Sequence, residues 1–205
     1  MRFALEGVEV EAGETLRKLL ESVPHDSDDV LARLDEFGAF DLSLVAVTFE
    51  EIGYAGITIP IVEREFGGES DHASLAAAAQ LVGLGQRMLD MTVDYVRQRQ
   101  QFGVPIGSFQ AVKHQLADSL KELTFARPAV WRAAASLEPR DISMAKAMAS
   151  DAASFVARRA LQCHGAIGYT VEYELHRYLK HTWVLARSFG DAAWHRDRIA
   201  KELHI

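Results

Sequence analysis

Three long stretches of this chain repeat their apolar residues every three or four positions, and that pattern leaves room for little besides helix. From Phe109 the run continues through Val112, Leu116, Leu120, Leu123 and Val130. From Ile142 it continues through Ala145, Ala149, Ala152, Val156 and Ala160. Residues 69 to 100 hold a third run, Ala-rich at first and then amphipathic through Leu81, Leu84, Met88, Met91 and Tyr95. Such steps keep apolar residues on one face of a 3.6-residue helix. Each predicted helix exceeds the usual ~11–12 residues, and long neighbours joined by short loops pack as a bundle. The run Ala76–Ala79 favours helix and lets a neighbouring helix come close, as does Ala133–Ala135. A last helix follows the turn RSFGD, with Asp191 as N-cap and Trp194 and Ile199 expected to face the bundle. The expected fold is all-α: a four-helix up-and-down bundle over 69–205 with a small N-terminal helical region over 1–68.

Glycine and proline mark the joints. GVPIGS at 103–108 separates the first two long helices, and Ser108 is placed to cap the second. Pro128 falls inside the second apolar period and predicts a kink or break there. Before residue 68 the elements are shorter: EAGETLRKLLES, DDVLARLDEFG and LSLVAVTFEEIG read as helices. ITIPIVE is a β-branched run whose Pro60 keeps it out of any central strand, and FGG at 66–68 reads as a hinge.

Composition narrows the function. A net charge of −7 argues against a nucleic-acid binder. Hydrophobic residues at 49% and charged ones at 25% are the balance of a folded globular chain. No apolar stretch is long enough for a membrane helix, and the acidic start MRFALEGVEVEAGE does not read as a secretory leader. The single cysteine, Cys163, excludes an internal disulfide and fits a reducing compartment. A cytoplasmic protein with small-molecule or protein partners is expected.

Three segments could carry chemistry. In RQRQQFGVPIGSFQAVKHQ, 97 to 115, a helix start and the guanidinium groups of Arg97 and Arg99 could hold an anion. The same residues would also serve as a dipole-compensating helix end and a plain connector. In LQCHGAIGY, 161 to 169, the small residues allow close approach of a ligand or, more simply, of another helix. Cys163 and His164 are adjacent and diverge on a helix, so they form no nucleophile–base pair. No histidine has a carboxylate at the spacing of a helical zinc site, and no metal is expected. The third segment, ARSFGDAAWHRDRIAKEL, 186 to 203, reads as a capped amphipathic helix.

In this order and spacing, the three segments resemble the acyl-CoA dehydrogenase family. RQQFGVPIGSFQAVKHQLAD is similar to the signature between the first two helices of that family's C-terminal four-helix domain. LQCHGAIGY resembles its second flavin-contact motif, and FGDAAWHR the entry to its last helix. FEEIGYAG and the other early helices resemble a shortened form of its N-terminal helical domain. Family members use FAD to remove two hydrogens from the α and β carbons of an acyl-CoA, each FAD lying between subunits. Carried over, the resemblance implies that Arg99 meets the FAD pyrophosphate, with Gln101 beside it and Phe102 packed on the cofactor. Gln110 would face the ADP part, and Gln162, Gly165 and Ala166 would line its adenosine end.

The resemblance breaks at two places. The family sets a middle β-domain before its long helix, where this chain has only ITIPIVEREFGG. The family's base is a Glu, yet Phe189 aligns at one of its two positions and Ala73 at the other, so no catalytic residue is assigned. Asp71 and His72 lie near the second position but are rotated away from it. The implied role is a companion subunit of a heteromeric FAD-dependent acyl-CoA dehydrogenase. It would share FAD with a full-length relative or with itself, and the isolated chain would be inactive. Split members often handle bulky thioesters, so fatty acid or steroid catabolism is implied. Alternatives are a helical scaffold protein derived from the family and a truncated or engineered enzyme.

Overall fold

The structure, a computed structural model, describes residues 7–22, 29–37, 44–57, 61–68 and 70–205. Short helices come first: α1 (Gly7–Glu21), α2 (Asp29–Glu36), α3 (Val45–Ala55) and α4 (Ile61–Phe66). The long helix α5 (Asp71–Gln98) follows. A two-residue-per-strand hairpin comes next, β1 (Gln100–Gln101) paired antiparallel with β2 (Val104–Pro105). Then come α6 (Gln110–Ser136), α7 (Pro139–His164), α8 (Leu175–Leu185) and α9 (Ala192–Glu202). The fold is all-α, as expected. Among the described residues between α3 and α5, α4 is the only element.

Helix α5 is the axis of the packing. It touches α3, α6, α7 and α8, while α9 lies on α7. One apolar cluster runs from Leu16 and Leu20 of α1 through α3 and α5 to Leu185 of α8. The α3–α5 crossing is close because two glycines meet it. A Cβ on Gly83 would lie 1.9 Å from the Glu50 carbonyl oxygen, and one on Gly53 2.1 Å from that of Gln80. Ala76–Ala79 are fully buried at this core. They are therefore spent inside the chain and are not the intersubunit face that their small size suggests.

Other details depart from the sequence pattern. Phe109, not Ser108, is the N-cap residue of α6. The Ser108 hydroxyl instead donates to the Pro105 carbonyl at 2.7 Å, closing a 3-10 turn at Ile106–Ser108. Helix α6 runs unbroken through Pro128, whose exposed position leaves the lost Thr124 carbonyl bond to solvent while Ala126, Ala129, Val130 and Ala133 hold the core side. The Pro60 stretch lies outside the described residues, and Ile61–Phe66 is helical. Asp191 caps α9 by accepting the Trp194 N–H at 2.8 Å. His195, however, is the residue α9 buries; Trp194 is half exposed and Ile199 only partly covered. Cap geometry rotates the helix so that the imidazole meets the preceding turn.

Candidate functional site

The end of α5, the start of α6 and the end of α7 meet at one end of the bundle. Tyr95, in the last turn of α5, stacks on His164, the last residue of α7, at 4.4 Å between ring centroids. Gln115 of α6 approaches the Cys163 sulfur of α7 at 4.0 Å. Tyr173 joins the His164 ring at 4.9 Å. The His164 Nδ1–H donates to the Ala160 carbonyl, and burial holds its pKa below the usual imidazole value.

All seven sequence-predicted cofactor residues stand at this end, and all are exposed. Arg99 is the C-cap residue of α5, with its backbone N–H bonded to the Tyr95 carbonyl. Gln101 lies in β1. Phe102 and Gly103 form the hairpin tip with φ of 54° and 81°, the left-handed pair that a two-residue hairpin turn needs. That turn holds the Phe102 ring 93% exposed, edge-on to Phe109. Gln110 opens α6, whose N-terminus has no side-chain cap; the Val112 N–H bonds to the Phe109 carbonyl, which leaves those of Gln110 and Ala111 without a backbone partner among the described residues. Gln162 lies in the last turn of α7. Gly165 has φ 63°, and a Cβ there would meet nothing within 4 Å, so the backbone beside Ala166 is open to approach. A guanidinium with no ion pair among the described residues, a helix start without a side-chain cap and an exposed aromatic ring suit a phosphate-bearing cofactor with a flat ring.

The apolar stripe of α6 is left open along its first half. Phe109 and Leu120 are exposed, Val112 and Leu116 only partly covered, and Ser119 is the first residue of the helix to be buried. Val104 beside it is exposed too, as are Ile167, Tyr169 and Val171 beyond the α7 end.

The opposite end of α5 holds a second arrangement that sequence reasoning missed. The turn between α8 and α9 is staked by buried side chains. Lys146, wholly buried in α7, donates to the Gly190 carbonyl at 3.0 Å, the Ala186 carbonyl at 3.3 Å and the Ser150 hydroxyl at 3.1 Å. Burial lowers its pKa to about 8. The Phe189 carbonyl accepts from His195 Nε2–H at 3.0 Å and from the Ser74 hydroxyl at 3.1 Å. His195 Nδ1 then carries no proton and has no partner, and burial lowers its pKa to about 4. Phe189, at φ 57°, packs against the core. An open cleft of about 670 Å³ lies beside it, lined by Asp71, Ser74, Arg187, Phe189, Trp194 and Arg198 among others. Arg198 grips Asp71 through two contacts, one at 2.9 Å, and holds that carboxyl below the usual range. The sequence signal was Lys146 itself, a cation four residues after Ile142 and three before Ala149 on an apolar face.

These features define a helical bundle with an open anion-and-aromatic face at one end and, at the other, a cleft whose Asp71 is paired with Arg198 and whose Asp191 caps α9. Residues 69–204 match the family model for the acyl-CoA dehydrogenase C-terminal domain, and the chain belongs to the acyl-CoA dehydrogenase family. Acyl-CoA dehydrogenase IpdE2 of Mycobacterium tuberculosis is 41% identical over 113 residues, covering 55% of this chain and 36% of that protein. The chain thus spans little more than a third of that relative, and 44% of the Mycolicibacterium smegmatis IpdE2. The solved Tcur3481–Tcur3483 steroid ACAD is 33% identical with a TM-score of 0.63, over 65% of this chain and 38% of its own. A chain of the ChsE4–ChsE5 complex from Mycobacterium tuberculosis overlays with a TM-score of 0.83, over 100% of this chain and 99% of its own. At 16% identity that likeness is one of fold alone. Among the described residues no helix is long and apolar enough to cross a membrane.

Proposed function

We propose that this chain is the companion subunit of a heteromeric, FAD-dependent acyl-CoA dehydrogenase. It supplies FAD contacts across an interface to a partner that oxidises an acyl-CoA to the 2,3-enoyl-CoA. The observation that carries the reading is the open end of the bundle: seven candidate cofactor residues and half an apolar helix stripe share one uncovered face. A contiguous exposed apolar surface with convergent polar groups is the mark of an interface. FAD, when bound, takes up the hydrogens removed from the substrate. Arg99 would hold its pyrophosphate, Phe102 would pack on it, and Gln110 with the free N–H groups of α6 would face its ADP part. Gln162, Gly165 and Ala166 would meet its adenosine end.

The base belongs to the partner in this reading. Phe189 accepts no proton, Ala73 is buried and inert, and Asp71 is committed to Arg198. A solved complex named for two chains, one of them spanning the same fold end to end, supports a paired arrangement. The partner is a full-length acyl-CoA dehydrogenase-like subunit, the setting cytoplasmic, and the pathway fatty acid or steroid catabolism. Residues 69–205 act as the flavin-facing bundle, and residues 1–68 as its helical buttress.

Arg99→Ala tests the reading. A charge-assisted hydrogen bond contributes roughly 1.5–3 kcal/mol, one to two decades of affinity. Bound flavin per complex, read by its visible absorbance, should fall in Arg99→Ala with helicity unchanged. Arg97→Ala is the control, since Arg97 lies 4.0 Å from Asp94 and two positions turn a helix by about 200°. Equal flavin in wild type and Arg99→Ala would remove the support for the cofactor assignment.

A further inference from the structure

Helix α8 buries one apolar face in the core and leaves two further apolar residues exposed on its outer side. Leu175, Tyr178, Leu179, Thr182 and Leu185 point into the core. On the other side Lys180, Trp183, Val184 and Arg187 recur at i, i+3, i+4 and i+7, Arg187 lying in the helical turn that continues past Leu185. All four are exposed, Trp183 by 44% and Val184 by 66%. A stripe with this spacing is a helix-packing surface. An indole left in water on an ordered helix, with an arginine one turn away, is the kind of anchor that a partner covers.

Charge says which partner. Between the N-cap Glu174 and Asp191, residues 175 to 190 contain Arg177, Lys180 and Arg187 and no Asp or Glu, in a chain whose net charge is −7. None of the three forms an ion pair among the described residues. A second copy of this chain does not fit by pairing α8 with α8. In a two-fold pair the same surface meets itself. Antiparallel pairing of α8 sets Lys180 against Arg187 of the other copy, and parallel pairing sets each cation against its own equivalent. Both juxtapositions are like-charged around a desolvated apolar centre, which costs association energy.

We propose that the Lys180–Trp183–Val184–Arg187 face of α8 docks a helix of a different subunit. That helix carries an apolar centre flanked by carboxylates about seven residues apart. The inference rests on the companion-subunit reading for the existence of such a partner, but on α8 alone for the place and the chemistry. The face lies on an element apart from the flavin-facing helix ends, so the two surfaces can be broken separately.

A photoreactive benzoylphenylalanine in place of Val184, in the chain expressed in its source organism, tests this. Irradiation should join it to one other polypeptide, at a segment whose apolar residues are flanked by Asp or Glu. The double charge reversal Lys180→Glu/Arg187→Glu should cut that yield by about tenfold, and the same probe at exposed Lys201 should not give the product. A cross-link to a second copy, no cross-link, or one indifferent to the charge reversal overturns the docking face. If one of those occurs while a flavin-bearing complex still forms, the companion reading stands and only this face falls. If no complex forms, both fall.

Discussion

Among single residues, the informative groups are those that break the local pattern. Lys146 is a charge in an alanine-rich stripe, and its three donors hold the α8–α9 turn by the Ala186 and Gly190 carbonyls. Its folded pKa of about 8 lies below the ordinary 10.5. Between those values the unfolded chain binds the proton more often than the folded one. Stability from this group therefore rises with pH from about 8 to about 10.5, and the cost of the buried charge is fully present below about 8. Wild type should gain on the order of 2 kcal/mol relative to Lys146→Met between about pH 7.5 and 9.5. Urea midpoints of both proteins at the two pH values measure this; parallel profiles would mean that Lys146 does not titrate in that window. Of the candidate cofactor residues, Arg99, Phe102 and Gly165 were readable as motif positions. That their side chains or backbone stand uncovered was not, because exposure depends on which helix ends come together.

At the scale of elements, the α3–α5 crossing shows how one residue type sets an interhelix distance. Gly83 sits inside a helix, where alanine would add up to about 1 kcal/mol of helix propensity. Its Cβ would, however, overlap the Glu50 backbone oxygen, and opening a packed crossing typically costs about 1–3 kcal/mol. Gly83→Ala should therefore lose about 1–2 kcal/mol net. Gly68→Ala, where nothing lies within 4 Å, should stay within about 0.5 kcal/mol of wild type. Thermal unfolding of both variants checks the pair, and a stabilised Gly83→Ala would contradict the close crossing. Helix α6 teaches the complementary lesson. Its apolar period runs its whole length in the sequence, yet the chain covers only the second half. Periodicity reports which face is apolar and does not say whether the cover comes from the same chain.

At the scale of the molecule, acid should be the weak side. Burial lowers His181 and His195 to about 4 from 6.5. Between those values the unfolded chain takes up protons that the fold refuses, so stability present above about pH 6.5 is lost as pH falls toward 4. His164, also lowered by burial, adds to this loss, and Glu50, pushed up by burial, acts in the opposite sense over the bottom of that range as one group against three. Asp71 and Asp141, held low by Arg198 and Arg132, lose their contribution only below the ordinary carboxylate range. The unfolding midpoint in urea should therefore decline between about pH 6.5 and 5, before the acidic ion pairs break. A profile flat down to pH 5 would show that these histidines stay accessible to protons in the fold.

The sequence by itself determined the helical class, the places of the three long helices, the Asp191 cap, and the family to which the motifs at 97–115 and 161–169 point. These are local properties: 3.6-residue periodicity, turn chemistry and short-range spacing survive without knowledge of neighbours. Only the tertiary structure decided that Ala76–Ala79 are used internally and that Ser108 closes a turn instead of capping α6. It alone decided that His195 rather than Trp194 is buried, and that the turn at Phe189–Gly190 is held from three helices, by Ser74 and His195 at the Phe189 carbonyl and by Lys146 at that of Gly190. Each of those depends on contacts between residues far apart in the chain, where a rotation of one helix by a single residue exchanges an inward side chain for an outward one.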